Sequence, residues 1–257
     1  MQAEADPKHT YNVYRGFSET MQPRFIYTPD FEKKIETALS TERLDSYREA
    51  LGPGCTFDKV IRLYNANTAL SEALLGPIQA MEISVRNSIC QQISKEHGND
   101  WYLSNSMNLE EKSYRLIEKV YKDYRNKPQF ADPKKLEAKI VSELTLGFWS
   151  NLFKSCYEDP LWRKCLRNAF PHVGGALLRN DVFAILDKIR RLRNRIGHHE
   201  QIILYNLEER YNNIIDIISW VSPITAIWLS HHNRFYDVRN QYKEEIAMVN
   251  IEINSAF

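Results

Sequence analysis

Between Asp58 and Glu96, the apolar residues Leu63, Leu70, Leu74, Ile78, Met81, Val85 and Ile89 recur at steps of three, four and seven. That period stripes one side of a long amphipathic helix. Gly76-Pro77 should kink it, because proline lacks a backbone donor and clashes one turn back. Nine glycines and ten prolines in 257 residues are too few for the many turns of a sandwich or barrel. With 43% hydrophobic and 12% aromatic residues, a mainly disordered chain is excluded. The length suffices for a core without disulfide or metal staples. The expected fold class is all-α.

Around that stretch the chain divides by its own punctuation. Residues 1–30 carry Pro7, Pro23 and Pro29 without helical period, and read as an extended lead-in with one short strand near Arg24-Phe25-Ile26-Tyr27. A helix is expected from Phe31 to Arg48 with Asp30 as N-cap, ended by Gly52-Pro53-Gly54. Further helices are expected over Leu109 to Tyr124 and from Lys134 to about Tyr157, with a short one from Pro160 to Ala169. Another begins at Asn180 or Asp181. The last two cover Leu207 to Val221 and, capped by Ser222-Pro223, the run to Leu229. No repeat and no Gly/Ser/Pro linker divides residues 31–257, which are read as one all-α domain.

Charge and cysteine usage narrow the function classes. Thirty-four Lys and Arg against 33 Asp and Glu leave a net charge of +1, so nucleic-acid binding needs a local patch. Cys55, Cys90, Cys156 and Cys165 form no C-x-x-C pair and read as buried free thiols of a reducing compartment. The N-terminal residues show no signal peptide, and Ile214 to Leu229 is too short and polar for a membrane span. A cytoplasmic protein is expected. There is no P-loop, no G-x-G-x-x-G and no nucleophile elbow. His198-His199-Glu200 with His231-His232 could suggest a metal centre, but adjacent helical histidines diverge by about 100°. No metal and no cofactor is expected. Phe148-Trp149, Trp220 and Trp228 read as core aromatics.

The informative stretch is DVFAILDKIRRLRNRIGHHE, residues 181–200. Val182, Ile185, Leu186, Ile189, Leu192 and Ile196 share one helix face, and the helical period sets Arg193 inside it. An arginine there needs a carboxylate, a phosphate or several carbonyls. Asn194 and His198 lie one turn apart on adjoining faces. Lys188, Arg190, Arg191, Arg193 and Arg195 place five cations within eight residues with no acid among them. Such a run suits either a solvated helix C-terminus or contacts to phosphate. Glu82 and Arg86 are an i, i+4 pair in the favourable order, most simply a helix salt bridge.

RNRIGHHE resembles the hallmark of HEPN-domain ribonucleases, an Arg and a His separated by four to six residues, here Arg193 and His198. Three further runs are similar to signatures of the Abi-like branch. They are LYNANTALSEALLGPIQAMEISVRNSI (63–89), SELTLGFWSNLF (142–153) and ISWVSPITAIWL (218–229). The resemblance covers about residues 58 to 240. It implies a HEPN-like helical bundle that pairs as a homodimer, bringing two Arg/His motifs into one cleft. It also implies a metal-independent RNA endonuclease of abortive-infection or toxin–antitoxin systems, with an antitoxin or a regulatory RNA or protein as a possible partner.

In that reading Arg193, Asn194 and His198 are catalytic, and Lys188, Arg190, Arg191 and Arg195 hold the RNA. Glu82, Arg86, Asn87 and His199 support them. Gly197 stands where Ala is frequent before the His. The adjacent His199 competes by spacing, and His198 is preferred because Asn194 to His198 is one turn. RNA supplies its own nucleophile, the 2′-hydroxyl, so the products would be a 2′,3′-cyclic phosphate and a 5′-hydroxyl. The rival is a catalytically inactive helical module that binds RNA or a partner.

Overall fold

The structure is a computed structural model that describes residues 27–249. Among these, every regular element is helical. The chain order is α1 (Pro29–Leu39), α2 (Thr41–Leu51), α3 (Phe57–His97), α4 (Glu111–Tyr124), α5 (Pro133–Glu143) and α6 (Leu146–Asn151). After three short helical turns between Ser155 and Ala169 come α7 (Arg179–Gly197), α8 (Leu207–Val221), α9 (Pro223–His232), α10 (Phe235–Gln241) and α11 (Lys243–Ala247). The all-α expectation is met.

The periodic stretch is one 41-residue helix, with Pro77 buried inside it and Gly98 capping its end. Its apolar stripe is fully enclosed: Leu63, Leu70, Leu74, Met81, Val85 and Ile89 are each at most 1% exposed. Around this axis pack α2, α6, α7, α8, α10 and α11. One contiguous apolar cluster runs from Leu44 to Val249. Burying a Leu- or Ile-sized side chain contributes about 1.5–3 kcal/mol before entropy is counted, so α3 is the spine on which the other helices are hung.

Several boundaries differ from the sequence expectation. The helix expected from Phe31 to Arg48 is two helices, broken at Ser40, whose backbone sits at φ 70° and ψ 141°. No Gly or Pro marks that corner. Ser40 Oγ instead accepts from the Arg43 amide at 3.3 Å and starts α2. Thr28, not Asp30, caps α1, and Tyr27 packs edge-on against Phe57 at 5.4 Å. Both Tyr27 and Thr28 fall in the stretch expected to be an extended lead-in. The short strand near Arg24 lies outside the described residues.

The helix expected from Lys134 to Tyr157 breaks after Glu143. Leu144 turns extended and its carbonyl accepts from Trp149 Nε1 at 3.1 Å. Residues 158–169 form a π turn and a 3₁₀ turn instead of one α-helix. Phe148 and Trp149 are core, as expected, but Trp228 is half exposed. It lies on α9, a helix at the edge of the bundle that packs on α8 and also leaves Ile224 and Ile227 open. Of the cysteines only Cys165 is buried, where burial pushes its thiol up to about 11, and Cys156 is exposed.

Candidate active site at the end of helix α7

Helix α7 is held to the core by Val182, Leu186, Ile189, Leu192 and Ile196, all buried. It is also tied at both ends by polar groups. At its start Arg179 is 7% exposed and donates to Glu158 at 2.7 Å, to the Phe153 carbonyl and to Asn180 Oδ1. Past its end, Asn67 of α3 is 4% exposed. Its Oδ1 accepts from the Ile202 and Ile203 amides at 2.7 and 3.1 Å, and its Nδ2 donates to the Glu200 carbonyl at 3.5 Å. Arg43 of α2 donates to the His199 carbonyl. The geometry of the last turn and its loop is therefore set by residues more than a hundred positions upstream.

Sequence reasoning passed over Arg179, Asn67 and Arg43. Asn67 had a visible signal: it falls four residues after Leu63 and three before Leu70, a polar side chain on the apolar stripe of α3. A buried amide is costly unless hydrogen-bonded, so it must hold something. Arg43 and Arg179 carried no such signal.

The motif residues take up three positions. Arg193 is not inside the apolar stripe: its side chain is 51% exposed, and its Nε lies 3.4 Å from Glu82 Oε1. The helical period gives an angle but not the neighbour that stands at it, and here that neighbour is the Glu82 carboxylate of α3 with solvent beside it. Glu82 meets Arg193 there, and Arg86, one turn along α3, also acts on the Glu82 carboxylate. Burial raises the Glu82 carboxyl above its ordinary value, against the opposing pull of Arg193 and Arg86. Glu82 Oε1 and Arg86 Nε are both shielded from solvent without a hydrogen-bond partner. Asn87 is exposed and joins neither residue in a hydrogen bond among the described residues.

Asn194 faces elsewhere. It lines a cavity of about 200 Å³ with Lys188, Arg191, Arg195, Tyr205 and Arg210. Its carbonyl accepts from the His198 amide at 2.9 Å. Gly197 is the last helical residue, and a Cβ there would meet nothing within 4 Å. His198 follows as the C-cap, at φ −94° and ψ 7°, with an exposed ring. His199 then turns to φ 57°, left-handed backbone that a histidine adopts at a cost. The expectation that its ring points a fixed 100° from that of His198 assumed a continuing helix. The helix has already ended.

The cations of α7 are also less open than their spacing suggests. Lys188 pairs with Glu209 at 3.1 Å, while Arg190 and Arg191 share Asp187 at 2.5 and 2.9 Å. Arg195 lies 3.4 Å from Glu200 and 5.0 Å over the Tyr205 ring. Exposed pairs of this kind contribute about 0–1 kcal/mol each, so a phosphate can displace or join them. No group of three His, Cys, Asp or Glu side chains arranged to hold a metal occurs among the described residues. No helix among them is long and apolar enough to cross a membrane.

The sequence matches a family model described as Abi-like protein over residues 23–206. The match begins earlier than the resemblance at residue 58 and takes in α1 and α2. It ends before α8 and α9, which hold the run that resembles the branch's C-terminal signature. No curated protein and no solved structure matches this chain.

Proposed function

The chain belongs to the Abi-like protein family, and from that premise we propose that it is a metal-independent RNA endonuclease of the HEPN kind. Family membership points to an abortive-infection type of role. Within it the nuclease acts against phage-infected cells or as a toxin, under an antitoxin or a regulatory RNA or protein. The RNA 2′-hydroxyl attacks its own phosphate. Histidine suits the proton transfers, because its ordinary pKa of about 6.5 lies near working pH. His198 of one copy takes the hydroxyl proton and His198 of a second copy protonates the leaving 5′-oxygen. The active form is thus a homodimer with two α7 ends facing each other. Arg193 donates two parallel bonds to the phosphorane oxygens and keeps its charge throughout. Asn194, with Lys188, Arg190, Arg191 and Arg195, holds the flanking phosphates.

The observation that carries this reading is accessibility. Arg193 is half exposed and held by one long ion pair, and the His198 ring is open at the end of the same helix. A motif kept for packing would be enclosed, as Arg179 is. The test is labelled RNA with purified protein in EDTA, followed by analysis of the product ends. Cyclic-phosphate ends in EDTA support the mechanism, and cleavage abolished by EDTA refutes it. Sedimentation showing only monomer at tens of micromolar, where binding of about −7 kcal/mol would still populate a dimer, refutes the two-copy site.

A second reading, an inactive helical module that binds RNA or a protein partner, is favoured by one feature. A groove of about 690 Å³ between α3 and α9 is lined by Ile83, Pro77 and Trp228, beside the open Ile224 and Ile227. RNA binding without any cleavage would select it.

A further inference from the structure

The loop that ends α7 also forms one wall of a separate cleft, of about 620 Å³, bounded by the α1–α2 corner and by α3. That size is in the range of small-ligand sites. Arg43, Tyr64, Asn67, Thr68, Ser71 and His199 line it, and no carboxylate does. Arg43 has no ion-pair partner among the described residues, whereas each of the five cations from Lys188 to Arg195 has one. A half-buried guanidinium without a carboxylate suits an anionic ligand.

The aromatic wall is firmly placed. Tyr47, 1% exposed, abuts Tyr64 edge-on at 5.6 Å and 71°, which leaves Tyr64 as a supported ring at the cleft. Thr68 and Ser71 add hydroxyls one and two turns along the same helix. Both non-glycine positive-φ residues that line the cleft, Ser40 (φ 70°) and His199 (φ 57°), are bonded to Arg43. Its amide donates to Ser40 Oγ, and its Nη1 donates to the His199 carbonyl. Such backbone persists only where the surroundings hold it, and it gathers at binding sites.

We propose that this cleft receives one unstacked ribonucleotide of the RNA strand, beside the nucleotide that is cut. Its phosphate lies against Arg43 and His199, and its base lies against Tyr64, within reach of the Thr68 and Ser71 hydroxyls. Single-stranded bases are held in this way, by an aromatic face together with hydrogen bonds to their edges. The assignment rests on the RNA-cleaving reading. It gives His199 a substrate contact distinct from the proton transfer assigned to His198.

The experiment is photo-cross-linking of the full chain to single-stranded RNA carrying 4-thiouridine, with the adducts mapped by mass spectrometry. Affinity is measured in parallel for Thr68→Trp, which fills the cleft but leaves the Arg43–His199 bond, and for Tyr64→Leu. Adducts on the peptides containing Tyr64 or His199 are expected. Both variants should lose RNA affinity by about tenfold, the scale of one lost base stack, while still melting cooperatively as folded proteins. Adducts confined to the Lys188–Arg195 helix, or affinities of folded variants within twofold of the parent, overturn the proposal. Neither readout needs turnover. Cross-linking through the cleft without cleavage supports the cleft and removes the nuclease reading. Cleavage with unchanged variant affinity does the reverse.

Discussion

At the start of α7, Arg179 is enclosed and donates to a carboxylate, a backbone carbonyl and an amide oxygen. Fourteen residues on, Arg193 is half exposed and leans on one carboxylate at 3.4 Å. The residue type and the helix are the same, yet the two arginines do opposite work. The first donates from all three of its side-chain nitrogens and so joins two parts of the fold. The second keeps donors free, which is what a group meant for an incoming phosphate requires. Burial with a complete partner set marks an arginine as structural, and an incomplete set at the surface marks it as available.

The largest expected effects would break this contrast outright. Arg193→Ala and His198→Ala should each lower RNA cleavage by roughly 10²-fold or more while leaving the melting temperature near that of the parent. Initial rates on labelled RNA, alongside thermal melts, check both halves. Should Arg193→Ala melt early and cut normally, Arg193 is a structural arginine and the contrast fails. Arg179→Ala should do the converse. Stability falls by about 2–3 kcal/mol as the Phe153 carbonyl loses its donor and buried packing is lost. Activity per folded molecule is kept, as read by denaturant titration and by rates normalised to the folded fraction.

A smaller effect concerns the loose end itself. Gly197 is helical and a Cβ there meets nothing, so Gly197→Ala should raise stability by about 0.5–1 kcal/mol. If calorimetry finds the variant destabilised, the end of α7 is more constrained than its exposure implies.

The smallest expected effect is a pH dependence at Glu82. Burial raises its carboxyl above the ordinary 4.5, so folding favours the protonated form. That contribution is full below 4.5 and is lost as pH rises through the elevated folded value. Melting curves taken upward from pH 4.5 should show this loss in the parent, and Glu82→Gln should remove it. An unchanged slope in the variant would mean that Glu82 is not the group responsible, and that Arg193 rests on a differently charged partner.

Much of the fold was legible from local pattern, because apolar period and capping chemistry are written in neighbouring residues. Leu207–Val221 and the Ser222 cap of α9 are found where the sequence puts them, and the α3 stripe is buried almost residue by residue. The corner at Ser40 was not legible, since nothing local announces a serine at positive φ. The break at Leu144 was equally hidden, because the carbonyl freed there is satisfied by Trp149, five residues ahead. At the site, the contact of Glu82 with Arg193 was anticipated only through the family resemblance. Asn67 could have been found as a polar interruption of the stripe.

The sequence by itself determined that this chain is helical, which faces of its helices are apolar, and that an Arg and a His close one of them. Those properties follow from backbone period and side-chain transfer energy, and both act within a few residues. Only the tertiary structure decided where Arg193 looks, that the helix stops before His198, and that His199 turns into a cleft with Arg43. These depend on Asn67, Arg43 and Glu82, which lie more than a hundred residues from the motif. A hydrogen bond between such distant groups exists only once the helices that carry them have packed.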